Sequence, residues 1–161
     1  MDRKKQRGFS LIELLIVVAI IGIIAAIAVP RLLVAQQAAH ETAAFTEVQT
    51  ISKNQILYSL THGHGKFGSL EELAEKGMAE GLKGGVKGGY IFTSAPINVE
   101  GLRAMFDTTA KPSSIGTFGS GNRSYYCNET LGNTVYEADG GEPPSATPQD
   151  RVPKNGTPKN E

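Results

Sequence analysis

The chain predicts an α+β fold in which one very long amino-terminal helix packs on a small antiparallel sheet of about four strands. Three observations carry that prediction. Residues 1–30, MDRKKQRGFSLIELLIVVAIIGIIAAIAVP, pass from a short basic leader straight into an apolar stretch that holds one acid, Glu13. Apolar residues at helical spacing then continue to about Leu60. Beyond Gly89, short segments rich in aromatic and β-branched residues alternate with turn formers. Five parts are expected: a leader at 1–8, a hydrophobic helix at 9–30, an amphipathic helical half at 31–62, a globular head at 63–139 and a disordered Pro-rich tail at 140–161.

The leader holds Arg3, Lys4, Lys5 and Arg7, which favour the cytoplasmic face of a membrane. From Leu14 to Val29 every residue is apolar or Gly. A helix over Phe9–Pro30 rises roughly 33 Å, about the thickness of a bilayer core. An ionised acid near the centre of that core costs about 2.5–3.5 kcal/mol on insertion scales, so it normally has a partner. Glu13 lies toward the cytoplasmic end, where the cost is smaller, yet no cation occurs in the following 17 residues. Either the acid reaches back to the headgroups or its partner belongs to another molecule.

Gly8-Phe9-Ser10-Leu11-Ile12-Glu13, set between a basic leader and a long apolar helix, resembles the class III signal of type IV pilins and of the pseudopilins of type II secretion. The resemblance implies cleavage between Gly8 and Phe9 by an inner-membrane prepilin peptidase that also methylates the new Phe9 amine. It further implies that Glu13 pairs with the Phe9 amine of a neighbouring subunit. Cleavage creates that cation at the depth of an unpaired carboxylate, and pairing at low dielectric favours one stagger between adjacent helices. The other implied partners are further copies of the chain or minor pilins, an inner-membrane assembly platform, and a cytoplasmic ATPase. The implied location is the inner membrane as a single-pass precursor, then a cell-surface pilus, or a periplasmic pseudopilus instead.

A secretory signal peptide shares the basic start and the apolar core. Ala26-Ile27-Ala28 offers it a small-x-small site with release at Val29. An acid inside the apolar core and the Gly8–Phe9 junction weigh against that alternative. Composition suits a small exported protein of 161 residues with one modest domain beyond the span. The whole chain has a net charge of +0; without the leader it keeps 12 bases against 15 acids, about −3. That balance gives no support to a general nucleic-acid footprint. Cys127 is the sole cysteine, so no intramolecular disulfide forms. Many pilins close a C-terminal loop with one, and this chain departs from that pattern; a packed strand position is expected for Cys127.

Past Pro30 the helical pattern resumes, with Ala44, Val48, Ile51 and Tyr58 on one side and Phe45 beside them. Gln36, Gln37, Glu41, Glu47, Lys53 and Asn54 form the polar face. A helix over Phe9–Leu60 is about 78 Å long, and the small head cannot bury all of it. The first half is therefore covered by lipid or by copies of itself, and repeating one heterologous contact by a screw operation builds an open-ended fibre. Gly22 and Ala19, Ala25, Ala26 and Ala28 allow close helix approach. Gly22 and Pro30 bracket a region where related filaments lose helical order, an expectation that rests on the resemblance.

The head begins at His62-Gly63-His64-Gly65, an incomplete metal pair that reads as an exposed turn. Ser69-Leu70-Glu71-Glu72 is a capping-box pattern opening a short helix that ends near Gly77, with Leu70, Leu73 and Met78 facing the core. Gly81–Gly89 lacks P-loop spacing and reads as a flexible connection. Strands are expected at Gly89–Ser94, Gly101–Thr108, Arg123–Asn128 and Thr134–Glu137, the last two forming a hairpin through 129–133. From Gly140 onward five prolines and almost no large apolar residues predict disorder. Three Asn-x-Ser/Thr triplets, at Asn122, Asn128 and Asn155, read as chance matches.

No nucleophile elbow, zinc-helix pattern or dinucleotide fingerprint is present, so no catalytic residue, metal ligand or cofactor is assigned. The resemblance implies a structural type IV pilus subunit serving adhesion, twitching motility or DNA uptake. The first alternative is a pseudopilin driving protein export. The second is a membrane-anchored or secreted binding domain. The major secretion pseudopilin carries an acidic calcium-binding loop, whereas Asp107, Glu129, Glu137, Asp139 and Glu142 are scattered here.

Overall fold

A computed structural model describes residues 9–97, 99–132 and 134–159. The chain divides after Ala35 into two compact units. Helix α1 runs Leu11–Thr61 with Pro30 inside it, in line with the extent read from the apolar pattern. Its first 25 residues lie in the first unit, and the remainder forms the spine of the second.

In the second unit the predicted inward face of α1 is the one buried. Ala44, Phe45, Val48 and Ile51 are each at most 6% exposed, and Tyr58 packs at the edge of the same core. They meet Leu70, Leu73, Leu82, Tyr90, Phe92, Ala110, Tyr125, Cys127 and Val135. The Phe45 and Tyr125 rings touch edge to face, with centroids 6.0 Å apart. Helix α2 spans Leu70–Glu75 and opens on the expected capping box. Ser69 Oγ accepts from the Glu72 amide, and Glu72 Oε2 accepts from the Ser69 amide. Leu70 and Leu73 are buried and Met78 lies partly buried beside them.

The sheet has six strands rather than the four expected. They are β1 Val86–Lys87, β2 Tyr90–Ile97, β3 Met105–Pro112, β4 Arg123–Asn128, β5 Val135–Asp139 and β6 Thr157–Lys159. Spatial order follows chain order and every pairing is antiparallel, so the sheet is a meander. The two additional strands come from segments without apolar alternation. Strand β1 and a 3-10 turn, Glu80–Leu82, form inside the Gly-rich stretch read as a flexible connection. Gly88 and Gly89, at φ +55° and +76°, make the two-residue turn that returns β1 onto β2.

Strand β6 forms within the segment 140–161 expected to be disordered, pairing Thr157 with Glu137 and Lys159 with Val135. Composition misled here because charge, together with the burial of Pro144 and Pro153, attaches the segment. Arg151 is 8% exposed and its guanidinium bridges Glu129 and Asp107. The Lys159 ammonium meets Glu137 at 3.0 Å and lies over the Phe45 and Tyr125 rings.

Strand β3 is displaced from the expected 101–108 because its pairing with β2 runs from Met105–Ile97 through Thr109–Thr93 to Pro112–Tyr90.

Candidate functional site

The amino-terminal unit presents an apolar surface with nothing over it. Between Leu11 and Val34, fifteen large aliphatic side chains are exposed, from 46% at Val17 to 83% at Leu11. Phe9 is 79% exposed. A Cβ added at Gly22 would meet nothing within 4 Å, so this glycine is not required by packing inside the chain. Among the described residues, α1 is the one helix long and apolar enough to cross a membrane. Gly8 and the rest of the 1–8 leader lie outside the described residues.

Glu13 has a partner that sequence reading missed. Ser10 precedes the first turn of α1, and its backbone N–H donates to Glu13 Oε2 at 2.9 Å. The Leu14 amide in turn donates to the Ser10 carbonyl at 3.3 Å. Ser10-Leu11-Ile12-Glu13 is therefore the second half of a capping box, with the acid three residues into the helix. The pattern was visible in the letters; the same spacing was recognised at Ser69–Glu72. The exchange occupies one carboxylate oxygen and leaves the group at a helix end where negative charge is favoured.

The head holds no second chemistry at the positions singled out from sequence. His62 and His64 are exposed in the turn that ends α1, His62 against the Tyr58 ring. Among the described residues no three His, Cys, Asp or Glu side chains gather as metal ligands. Four of the five scattered acids meet cations instead: Asp107 and Glu129 meet Arg151, Glu137 meets Lys159 and Arg123, and Asp139 meets Arg123. Cys127 is fully buried on β4; burial pushes its thiol pKa up, and its Sγ donates to Ser52 Oγ at 3.4 Å. A buried, protonated thiol is a packing residue. The Asn128 amide is equally buried, donating to Tyr126 Oη and the Arg151 carbonyl.

The chemistry thus concentrates at the amino terminus, and that is where comparison with known proteins is informative. Residues 3–29 match the family model of the prokaryotic N-terminal methylation motif. The chain opens on a type IV prepilin segment.

Its relatives are named for two kinds of assembly, pili and the type II secretion system. The type IV wide pilus major component PilA4 of Thermus thermophilus is 42% identical over 57 residues, 35% of this chain and 44% of the relative. The type II secretion system core protein G of Pseudomonas aeruginosa is 38% identical over 60 residues, 37% of this chain and 42% of the relative. The fimbrial protein EcpC of Eikenella corrodens is 28% identical over 147 residues, 80% of this chain and 86% of the relative. The alignments to PilA4 and core protein G span less than half the length of those relatives. No solved structure matches the chain. These relatives are structural pilins and pseudopilins rather than enzymes, as the absence of catalytic motifs led us to expect.

Proposed function

We propose that the chain is a type IV pilus subunit, cleaved after Gly8, methylated at Phe9 and polymerised through its amino-terminal helix. The observation that carries this reading is the prepilin segment running without interruption into an uncovered apolar helix surface. At about 1 kcal/mol for each half-exposed aliphatic side chain, leaving fifteen of them in water costs roughly 15 kcal/mol. That is as large as the whole net stability of a typical domain. Such a surface belongs in a bilayer before assembly and against copies of itself afterwards.

In this mechanism the precursor inserts with Arg3–Arg7 in the cytoplasm and the head outside. Prepilin peptidase frees the Phe9 amine, a new cation four residues from Glu13. Glu13 of one subunit then engages the Phe9 amine of the next, which sets the axial stagger, and Gly22 permits close approach of the helices. Pro30 and Gly22 mark where the helix yields on extraction. An inner-membrane platform and a cytoplasmic ATPase supply the work, and minor pilins join the fibre. The precursor resides in the inner membrane and the product at the cell surface.

Similarity to type II secretion core protein G favours a second reading, a periplasmic pseudopilus subunit. The mass of the N-terminal peptide in protein sheared from cells separates the two. A methylated Phe9 terminus in long surface fibres supports the pilus, whereas the same terminus confined to the periplasm supports the pseudopilus. A terminus at Val29 refutes both. Glu13→Ala should leave cleavage intact and abolish fibre yield; normal fibres from that variant would refute the pairing.

A further inference from the structure

The head carries one protruding aromatic side chain and, at another level, an apolar cleft. Phe118 is 84% exposed in the connection between β3 and β4. It stands third in the turn Gly116–Gly119, closed by the Gly119 amide donating to the Gly116 carbonyl at 2.9 Å. Gln37 Nε2 donates to both end carbonyls, at 2.5 Å to Gly116 and 3.2 Å to Gly119. The Ser120 amide donates to the Ser114 carbonyl at 2.9 Å, and a Cβ added at Gly119 would fall 2.5 Å from that same oxygen. A turn tied this closely is organised before any partner arrives. No charged residue lies between Lys111 and Arg123, so covering the tip strands no charge.

The cleft, about 330 Å³, lies between α2, the Glu80–Leu82 turn and β2. Leu70, Leu82 and Phe92 give it an apolar lining, with Glu71 and Ser94 among its polar groups. Its volume is at the small end for binding pockets and suits one aromatic side chain. Knob and cleft belong to the same compact unit. The knob is tied to Gln37, whereas Ser94 Oγ at the cleft accepts from Gln55 Nε2 at 2.8 Å. From Gln37 to Gln55 the helix advances about 27 Å, so a head does not reach its own cleft.

We propose that Phe118 of one subunit seats in the Leu70–Leu82–Phe92 cleft of a neighbouring copy within the fibre. Copies sharing one orientation present every knob at one level and every cleft at another. Each contact then leaves a free knob on one side and a free cleft on the other, which is the open-ended arrangement that a fibre requires. One aromatic side chain buries at most about 250 Å², well below the 800 Å² or so per partner of a stable interface. Such a contact does not join two chains by itself. It closes where another interface has already brought the heads together, which selects a further copy over an unrelated protein as the occupant. The contact rests on the reading of the chain as a fibre subunit and adds a lock between heads to the packing of helices.

Fibres grown from the full chain with the photocrosslinker p-benzoylphenylalanine at residue 118 test this, since that replacement stays aromatic. After irradiation the crosslinked dimer is isolated and digested with trypsin. The expected bridge joins residue 118 to peptide 67–76 or 88–103, which hold Leu70 and Phe92. Glu71→Trp, at an exposed position lining the cleft, should cut that bridge about threefold or more. A dimer bridged elsewhere, or a bridge that Glu71→Trp leaves unchanged, overturns the proposal. The chain contains no Trp, so Phe118→Trp gives an independent reading where the bulkier group blocks assembly. Its emission should be blue-shifted and about threefold less open to iodide in fibres than in the detergent-solubilised subunit. Equal iodide access in the two overturns the contact. Either negative result in otherwise normal fibres removes the contact alone, whereas a wild-type chain that forms no fibres removes the underlying reading with it.

Discussion

Arg151→Met tests whether charge fastens the C-terminal segment to the sheet. Arg151 Nε donates to Glu129 Oε1 at 2.9 Å. One terminal nitrogen shares its two N–H groups among Glu129 Oε2 at 2.9 Å, Asp107 Oδ1 at 2.6 Å and the Phe106 carbonyl at 2.7 Å. Burial works against the charged guanidinium, and its hydrogen bonds to Glu129 and Asp107 outweigh that, holding its pKa above the ordinary value. Methionine keeps most of the stem volume, so the loss is the charge and its donors. The Asp107 side chain is 27% exposed and rehydrates, whereas that of Glu129 is 8% exposed and keeps only the Phe106 amide at 3.2 Å and the exposed Arg103 at 3.9 Å against its charge. Removing one partner of a buried pair costs about 3–5 kcal/mol, and the partly wet Asp107 places this case near 3 kcal/mol. With a urea slope of about 2 kcal/mol per molar, the unfolding midpoint should fall by about 1.5 M. The assay is urea unfolding of the detergent-solubilised chain, followed by near-ultraviolet tyrosine circular dichroism. Adding Glu129→Gln should recover about 1 kcal/mol, because a neutral amide replaces a buried carboxylate that has lost its main counter-charge. A loss below about 1 kcal/mol, or strict additivity in the double variant, would refute the reasoning.

Three further outcomes are expected. Gln55→Leu removes an amide that donates to the Gly68 carbonyl and Ser94 Oγ and accepts from the Gly68 amide; orphaning these buried groups should cost about 2–3 kcal/mol in the same urea assay. Burial pushes the Tyr90, Tyr125 and Tyr126 phenols above their ordinary value, so their contribution to stability is full below about pH 10 and is lost as pH rises through the higher folded values. Tyrosinate absorbance above that pH should stop short of the five tyrosines present until near-ultraviolet dichroism collapses; a smooth titration of all five in the folded chain would contradict this. Gly8→Val should block processing, read as retention of the precursor mass, and an unchanged mature mass would move the cleavage site elsewhere.

The amino-terminal motif was legible in the letters because its residues lie next to one another in the chain. A basic leader, Gly8-Phe9, Glu13 and an apolar run follow one another within thirty residues. The extent of α1, its inward face at Ala44, Phe45, Val48 and Ile51, and the Ser69 capping box were legible for the same reason: periodicity and capping are short-range. Gly81–Gly89 and the Pro-rich segment were misread because what orders them lies far away. Strand β1 exists by pairing with β2. Strand β6 pairs with β5, and the segment before it is held where Arg151 meets Glu129 and Asp107, 22 and 44 residues earlier. Hydropathy does not register a charge whose partner is supplied by folding, so the closure of the sheet was decided by tertiary structure. The placement of Phe118 beside Gln37, 81 positions earlier in the chain, was decided the same way. Composition alone marked the surface that must be hidden, since an apolar helix of this length has the same needs in any fold.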